Sequence, residues 1–141
     1  MFDDKQLSAI EYYMDKRTEE WLKQSRYDME TADFMYSGGR YLYAVFMCHL
    51  SIEKALKGLF YQCKKDIPPR THSLIYLLDA IGKRPPETLG RFIVKLSEAS
   101  IPTRYPEQLD RIQKEYTAVV VSDIVQNGKE VLQWINLQLS E

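Results

Sequence analysis

The stretch from Arg40 to Lys65, RYLYAVFMCHLSIEKALKGLFYQCKK, decides the fold. Its apolar residues recur at helical spacing on two sides rather than one. Leu42, Val45, Ile52, Leu56 and Phe60 make a stripe of large side chains, whereas Ala44, Met47, Ser51, Ala55 and Gly58 make a second that is mostly small. A helix apolar on two sides has neighbours on both, and a small stripe lets another backbone come close. The expectation is a central helix in an all-α antiparallel bundle.

Upstream, Leu7, Ile10, Met14, Trp21, Met29, Ala32 and Tyr36 keep to one face until Gly38-Gly39 ends the segment. This pattern allows one long first helix, or an N-terminal arm over residues 1–17 joined near Arg17-Thr18 to a bundle over 18–141. Downstream, Pro68-Pro69-Arg70-Thr71-His72-Ser73 reads as a loop. Thr71 or Ser73 then caps a short helix that buries Leu74, Leu77, Leu78 and Ile81 and stops at Gly82. Pro86 opens a helix carrying Leu89, Phe92, Ile93 and Leu96, expected to end before Pro102. From Ile101 to Tyr116 the chain is polar and aperiodic, so a long surface loop is expected. Thr117 caps the last helix, whose apolar face holds Val121, Ile124, Val125, Gly128, Leu132, Ile135 and Leu139. Gly128 is expected to pack on the small stripe of the central helix. No segment alternates with period two.

The 141 residues, 45% of them hydrophobic, suffice for one core and one domain. Nineteen Lys and Arg against 20 Asp and Glu leave a net charge of −1. Any attraction to nucleic acid must therefore come from a local patch, and a polybasic binder is excluded. No run approaches the roughly 18 apolar residues of a membrane span, and the acidic N-terminus lacks an apolar segment, so a cytoplasmic protein is expected. Cys48 and Cys63 are too far apart along one helix to bridge each other and are expected as reduced thiols.

Neither histidine lies near a second His, a Cys pair or a carboxylate cluster at metal-ligand spacing, so no metal and no cofactor are expected. Phosphate-cradling glycine loops and activated serine arrangements are likewise missing. Three features remain. His49 and Glu53, at i and i+4, read either as a core histidine bonded to a carboxylate or as the floor of a polar cleft. Tyr43, Lys54, Lys57, Tyr61, Lys64 and Lys65, continued by Arg70, interleave basic and aromatic side chains. Such a face suits phosphate contact with base stacking, though a solvated helix face, the commoner case, looks the same. The loops Arg70-Thr71-His72 and Arg104-Tyr105-Pro106 offer further ligand or partner contacts.

Four segments, Trp21 to Asp28, Gly39 to Phe46, Glu53 to Leu59 and Pro69 to Leu74, resemble in their order the HEPN domain, a nucleotide-binding domain of higher eukaryotes and prokaryotes. The resemblance runs from about Trp21 to Leu137 and takes in Arg104-Tyr105-Pro106 and Trp134. It implies an up-and-down bundle of four to five helices, a homodimer, and a minimal nucleotidyltransferase as protein partner in a toxin–antitoxin or defence pair. Ribonuclease members carry an Arg-x4–6-His motif, which this sequence lacks: Arg40 is too far before His49 and Arg70 too close to His72. The expectation is therefore a non-catalytic module for nucleotide or RNA phosphate, with no catalytic residue assigned. Lys54 and Lys57 would contact phosphate, Tyr43 or Tyr61 would stack, and Arg70, His72, Arg104 and Tyr105 would close the site over His49 and Glu53. The alternatives are an atypical metal-independent ribonuclease using His49 or His72, and a purely structural interaction module.

Overall fold

The computed structural model describes residues 1, 3–5 and 14–140. Among them the chain forms six helices and no strand: α1 (Lys16–Ser37), α2 (Tyr41–Lys64), α3 (Leu74–Ile81), α4 (Glu87–Arg104), α5 (Leu109–Glu115) and α6 (Ala118–Leu139). The four long helices make the antiparallel bundle. As its two stripes require, α2 is central and packs against α1, α6, α4 and α3. Ile52 and Leu56 of its large stripe, with Leu59 beside them, share the fully buried core with Leu74, Leu77, Ile93 and Leu96.

Local chemistry sets the helix ends. Asp15 caps α1, its carboxylate accepting from the Arg17 amide at 2.9 Å. Gly39 adopts φ +74°, and the Arg40 amide donates to the Met35 carbonyl at 2.8 Å, which turns the chain back into α2. Ser73 is the cap of α3, accepting from the Tyr76 amide, while Thr71 accepts from the Ser73 amide. Gly82 and Thr117 act as expected at the end of α3 and the start of α6. Met14 packs against the edge of the core, whereas Leu7 and Ile10 lie outside the described residues.

Three expectations need correction. The small stripe of α2 receives α1, not α6. Ser25 and Ser51 exchange hydroxyl-to-carbonyl hydrogen bonds of 2.7 Å in both directions, and a Cβ added at Gly58 would lie 3.1 Å from Trp21 Cβ. Gly128 instead faces the α1–α2 groove: an added Cβ would come within 2.4 Å of Cys48 Sγ and 3.3 Å of Met29 Cε. The reason is size, since Cys48 and Ile52 already fill the side of α2 turned to α6 and only a bare backbone fits over them.

Secondly, α4 runs through Pro102 to Arg104. A proline so near the C-terminus disturbs only the last turn. Thr103, buried, donates its hydroxyl to the Ala99 carbonyl at 2.6 Å, and the Tyr105 amide reaches the Ile101 carbonyl at 2.8 Å. Thirdly, the expected loop contains α5, a seven-residue helix with no buried residue and no side-chain cap. Without an apolar stripe it left no period to read.

Gly128 gives a direct test of the packing. Gly128→Ala is expected to lower stability by about 2 kcal/mol, because overpacking outweighs the gain in helix propensity. Adding Cys48→Ala is expected to restore most of the loss in urea denaturation. A single variant as stable as the parent would show that α6 stands further from α2.

Candidate functional site

Glu53 sits halfway along α2, 3% exposed, where an unanswered carboxylate would be costly. Two side chains answer it. Lys57 Nζ lies 3.2 Å from Oε2, one turn along the same helix, and His72 Nδ1 lies 3.0 Å from Oε1, brought in by the loop before α3. Lys57 also stands 5.8 Å over the Trp21 ring of α1. Glu53 thus ties α1, α2 and the 65–73 loop together.

The pairing of His49 with Glu53 expected from their spacing is not a hydrogen bond. His49 Nδ1 is 4.0 Å from the carboxylate, and neither ring nitrogen has a hydrogen-bond partner among the described residues. Burial to 1% exposure pushes its pKa down to about 4, against the pull of Glu53 and with the help of Arg104 and His72. The ring is neutral at neutral pH and closed to substrate. His72 is the opposite case, with 72% of its side chain exposed and Nδ1 fixed on Glu53, which leaves Nε2 facing solvent.

The other lysine expected at phosphate is already engaged. Lys54 Nζ lies 2.9 Å from Asp28, a buried carboxylate of α1. Lys54→Glu is therefore expected to lower stability by about 2 kcal/mol, as an uncompensated carboxylate pair replaces an ion pair. Thermal denaturation measures it, and an unchanged melting temperature would show that Asp28 needs no partner. Tyr61 lies under the Arg17 guanidinium at 5.5 Å, and Arg70 stands exposed in its loop.

A second group gathers where the start of α2 meets the α4–α5 corner. Arg40, Tyr43, Thr103, Arg104, Gln113 and Tyr116 line a cleft of about 440 Å³, and among the described residues no carboxylate lines it. The Arg104 guanidinium lies 4.4 Å from the centre of the Phe46 ring, with Nε buried and without a hydrogen-bond partner. Tyr43 is 59% exposed at the rim. Tyr105 turns to the far side of Pro106, beside Arg111, Glu107 and Glu115. The sequence-predicted residues thus divide: Tyr43 and Arg104 share this cleft, His49, Lys57 and His72 surround Glu53, and Lys54, Tyr61, Arg70 and Tyr105 belong to neither group.

Arg40, Gln113 and Tyr116 are cleft residues that sequence reasoning missed. For Arg40 a signal existed: it holds the N-cap of α2 without a side-chain cap bond, a position where Ser, Thr, Asp or Asn is usual. No such signal marks Gln113, which reaches the cleft only because α5 is helical.

The fold matches known structures. The family model of the HEPN domain matches residues 18–138, nearly the whole bundle. The chain belongs to the HEPN domain family. The crystal structure of ST0689, an archaeal HEPN homologue, is 31% identical and superposes with a TM-score of 0.71, covering 89% of this chain and 99% of that one. The crystal structure of TT1696 from Thermus thermophilus is 26% identical, with a TM-score of 0.70 over 88% of this chain and 99% of the other. Among curated proteins no relative matches significantly. Among the described residues of this HEPN bundle, no group of His, Cys, Asp and Glu is arranged to hold a metal, and no helix is long and apolar enough to cross a membrane.

Proposed function

We propose that this HEPN protein is a non-catalytic binding module for nucleotide or RNA phosphate. The observation that carries the reading is Arg104, a cation with no counter-charge among the described residues, beside the exposed Tyr43 ring in a cleft whose described lining holds no carboxylate. Guanidinium groups bind phosphate through paired N–H donors, and an aromatic rim stacks a base of any identity. His72 and Arg70, both exposed, extend the contact surface along the loop, and Tyr105 along the corner. Lys54 and Lys57 serve the fold, since each is held by a buried carboxylate.

Arg104→Gln is expected to weaken binding of a short single-stranded RNA about tenfold, the scale of one charge-assisted contact, without a matching fall in melting temperature. Unchanged affinity would remove the cleft from the reading. The assembly we propose is a homodimer, supported by family likeness. Its partner is a minimal nucleotidyltransferase in a toxin–antitoxin or defence pair, an association supported by family likeness, and we place the complex in the cytoplasm. Light scattering at twice the chain mass, and co-purification with the nucleotidyltransferase, test both.

One observation favours a second reading. A solvent-facing histidine oriented by a buried carboxylate is the arrangement of a general base, and His72 on Glu53 has it. As a metal-independent ribonuclease the protein would act through His72 and not through the sealed His49. Growth arrest on expression, relieved by His72→Ala, would establish that reading, and harmless expression with intact RNA would remove it.

A further inference from the structure

The cleft at the start of α2 carries more positive character than a bridging phosphodiester needs. Arg40 and Arg104 reach it from different elements, and the described lining has no acidic residue. The N-terminus of α2 opens into the same space. Helix geometry leaves the amides of Tyr41, Leu42 and Tyr43 without intrahelical acceptors, all three residues line the cleft, and the N-cap residue is an arginine, which has no acceptor to offer. The 24 residues of α2 direct their aligned peptide dipoles so that the positive end lies here. Arg104 adds a guanidinium that no carboxylate pairs among the described residues.

Resting on the nucleotide-phosphate reading above, we infer that this cleft seats a terminal phosphate monoester, the 5′-phosphate of a mononucleotide or of an RNA end. A monoester carries about −1.5 to −2 charges near neutral pH, a diester about −1. Two guanidinium groups and a helix N-terminus match the former. The cleft volume of about 440 Å³ is in the range that small-molecule sites occupy, and the Tyr43 or Tyr116 ring provides a flat surface for a base or ribose.

The test uses one short single-stranded RNA with a 5′-phosphate or a 5′-hydroxyl, titrated by fluorescence anisotropy against the full chain, Arg40→Ala and Arg40→Lys. The 5′-phosphate form is expected to bind about tenfold more tightly, the worth of one charge-assisted pair. Arg40→Ala is expected to abolish that difference by weakening the 5′-phosphate form far more than the 5′-hydroxyl form, and Arg40→Lys to keep part of it. No hydrogen bond of the Arg40 side chain supports the fold among the described residues, so the melting temperature stays as in the parent. Displacement of the RNA by adenosine monophosphate but not by adenosine identifies the free nucleotide as a ligand. A 5′-phosphate preference without such displacement identifies the RNA end. Equal affinity for the two RNAs overturns the monoester seat and leaves the general binding reading standing, whereas no binding of either RNA or of the mononucleotide overturns both.

Discussion

Glu53→Ala is expected to lower the folding free energy by roughly 3 kcal/mol, at the low end of the cost of breaking a buried ion pair by removing one partner. The loss has two sources. Lys57, whose side chain is 12% exposed, keeps its charge but loses its carboxylate, and the 65–73 loop loses the His72 bond that ties it to α2. Glu53→Gln, which preserves shape and one acceptor, is expected to cost about half as much. Glu53→Ala combined with Lys57→Met is expected to recover much of the loss, since no buried charge then stands alone. Urea denaturation of the four proteins measures the series. A loss under about 1 kcal/mol for Glu53→Ala would show that the carboxylate is not the anchor of this region.

The second large effect is a pH dependence carried by His49. Its folded pKa, about 4, lies below the unfolded value of 6.5. The unfolded chain therefore binds the proton first as pH falls, and the folded state is penalised. The contribution of the neutral ring is fully present above pH 6.5 and is lost as pH falls from there towards 4. At 1.36 kcal/mol per pKa unit, roughly 3 kcal/mol is lost across that window. Carboxylates titrate at its lower end as well, so the informative quantity is the difference between the parent and His49→Leu. Relative to the parent, the variant is expected to gain about 2–3 kcal/mol between roughly pH 7 and pH 4.5. A constant difference would mean that solvent reaches the ring.

Where sequence and structure agree, the property was local. The two stripes of α2, the caps at Ser73 and Thr117 and the glycine stops at Gly38-Gly39 and Gly82 follow from residues within a turn of one another. Where they differ, a partner distant in sequence decided. Lys54 reads as a free phosphate contact until Asp28, on another helix, is placed 2.9 Å away. Glu53 reads as the partner of His49 by spacing, yet the loop delivers His72 at bonding distance and the His49 ring remains 4.0 Å off. Arg104 and Tyr43 stood in separate segments of the chain, and nothing in either announced that a short helix with no buried face would wall them into one cleft. A charge shows its availability only once its neighbours are known.

This HEPN bundle, without the Arg-x4–6-His motif, is expected to bind RNA phosphate and leave the RNA intact. A titration of the purified protein with short single-stranded RNA at two salt concentrations, followed by product analysis of the same RNA, tests it most directly. The expected result is affinity that falls as salt rises, because phosphate contacts release counterions, with the RNA recovered at full length. Cleaved RNA, or no binding at either salt concentration, would contradict it.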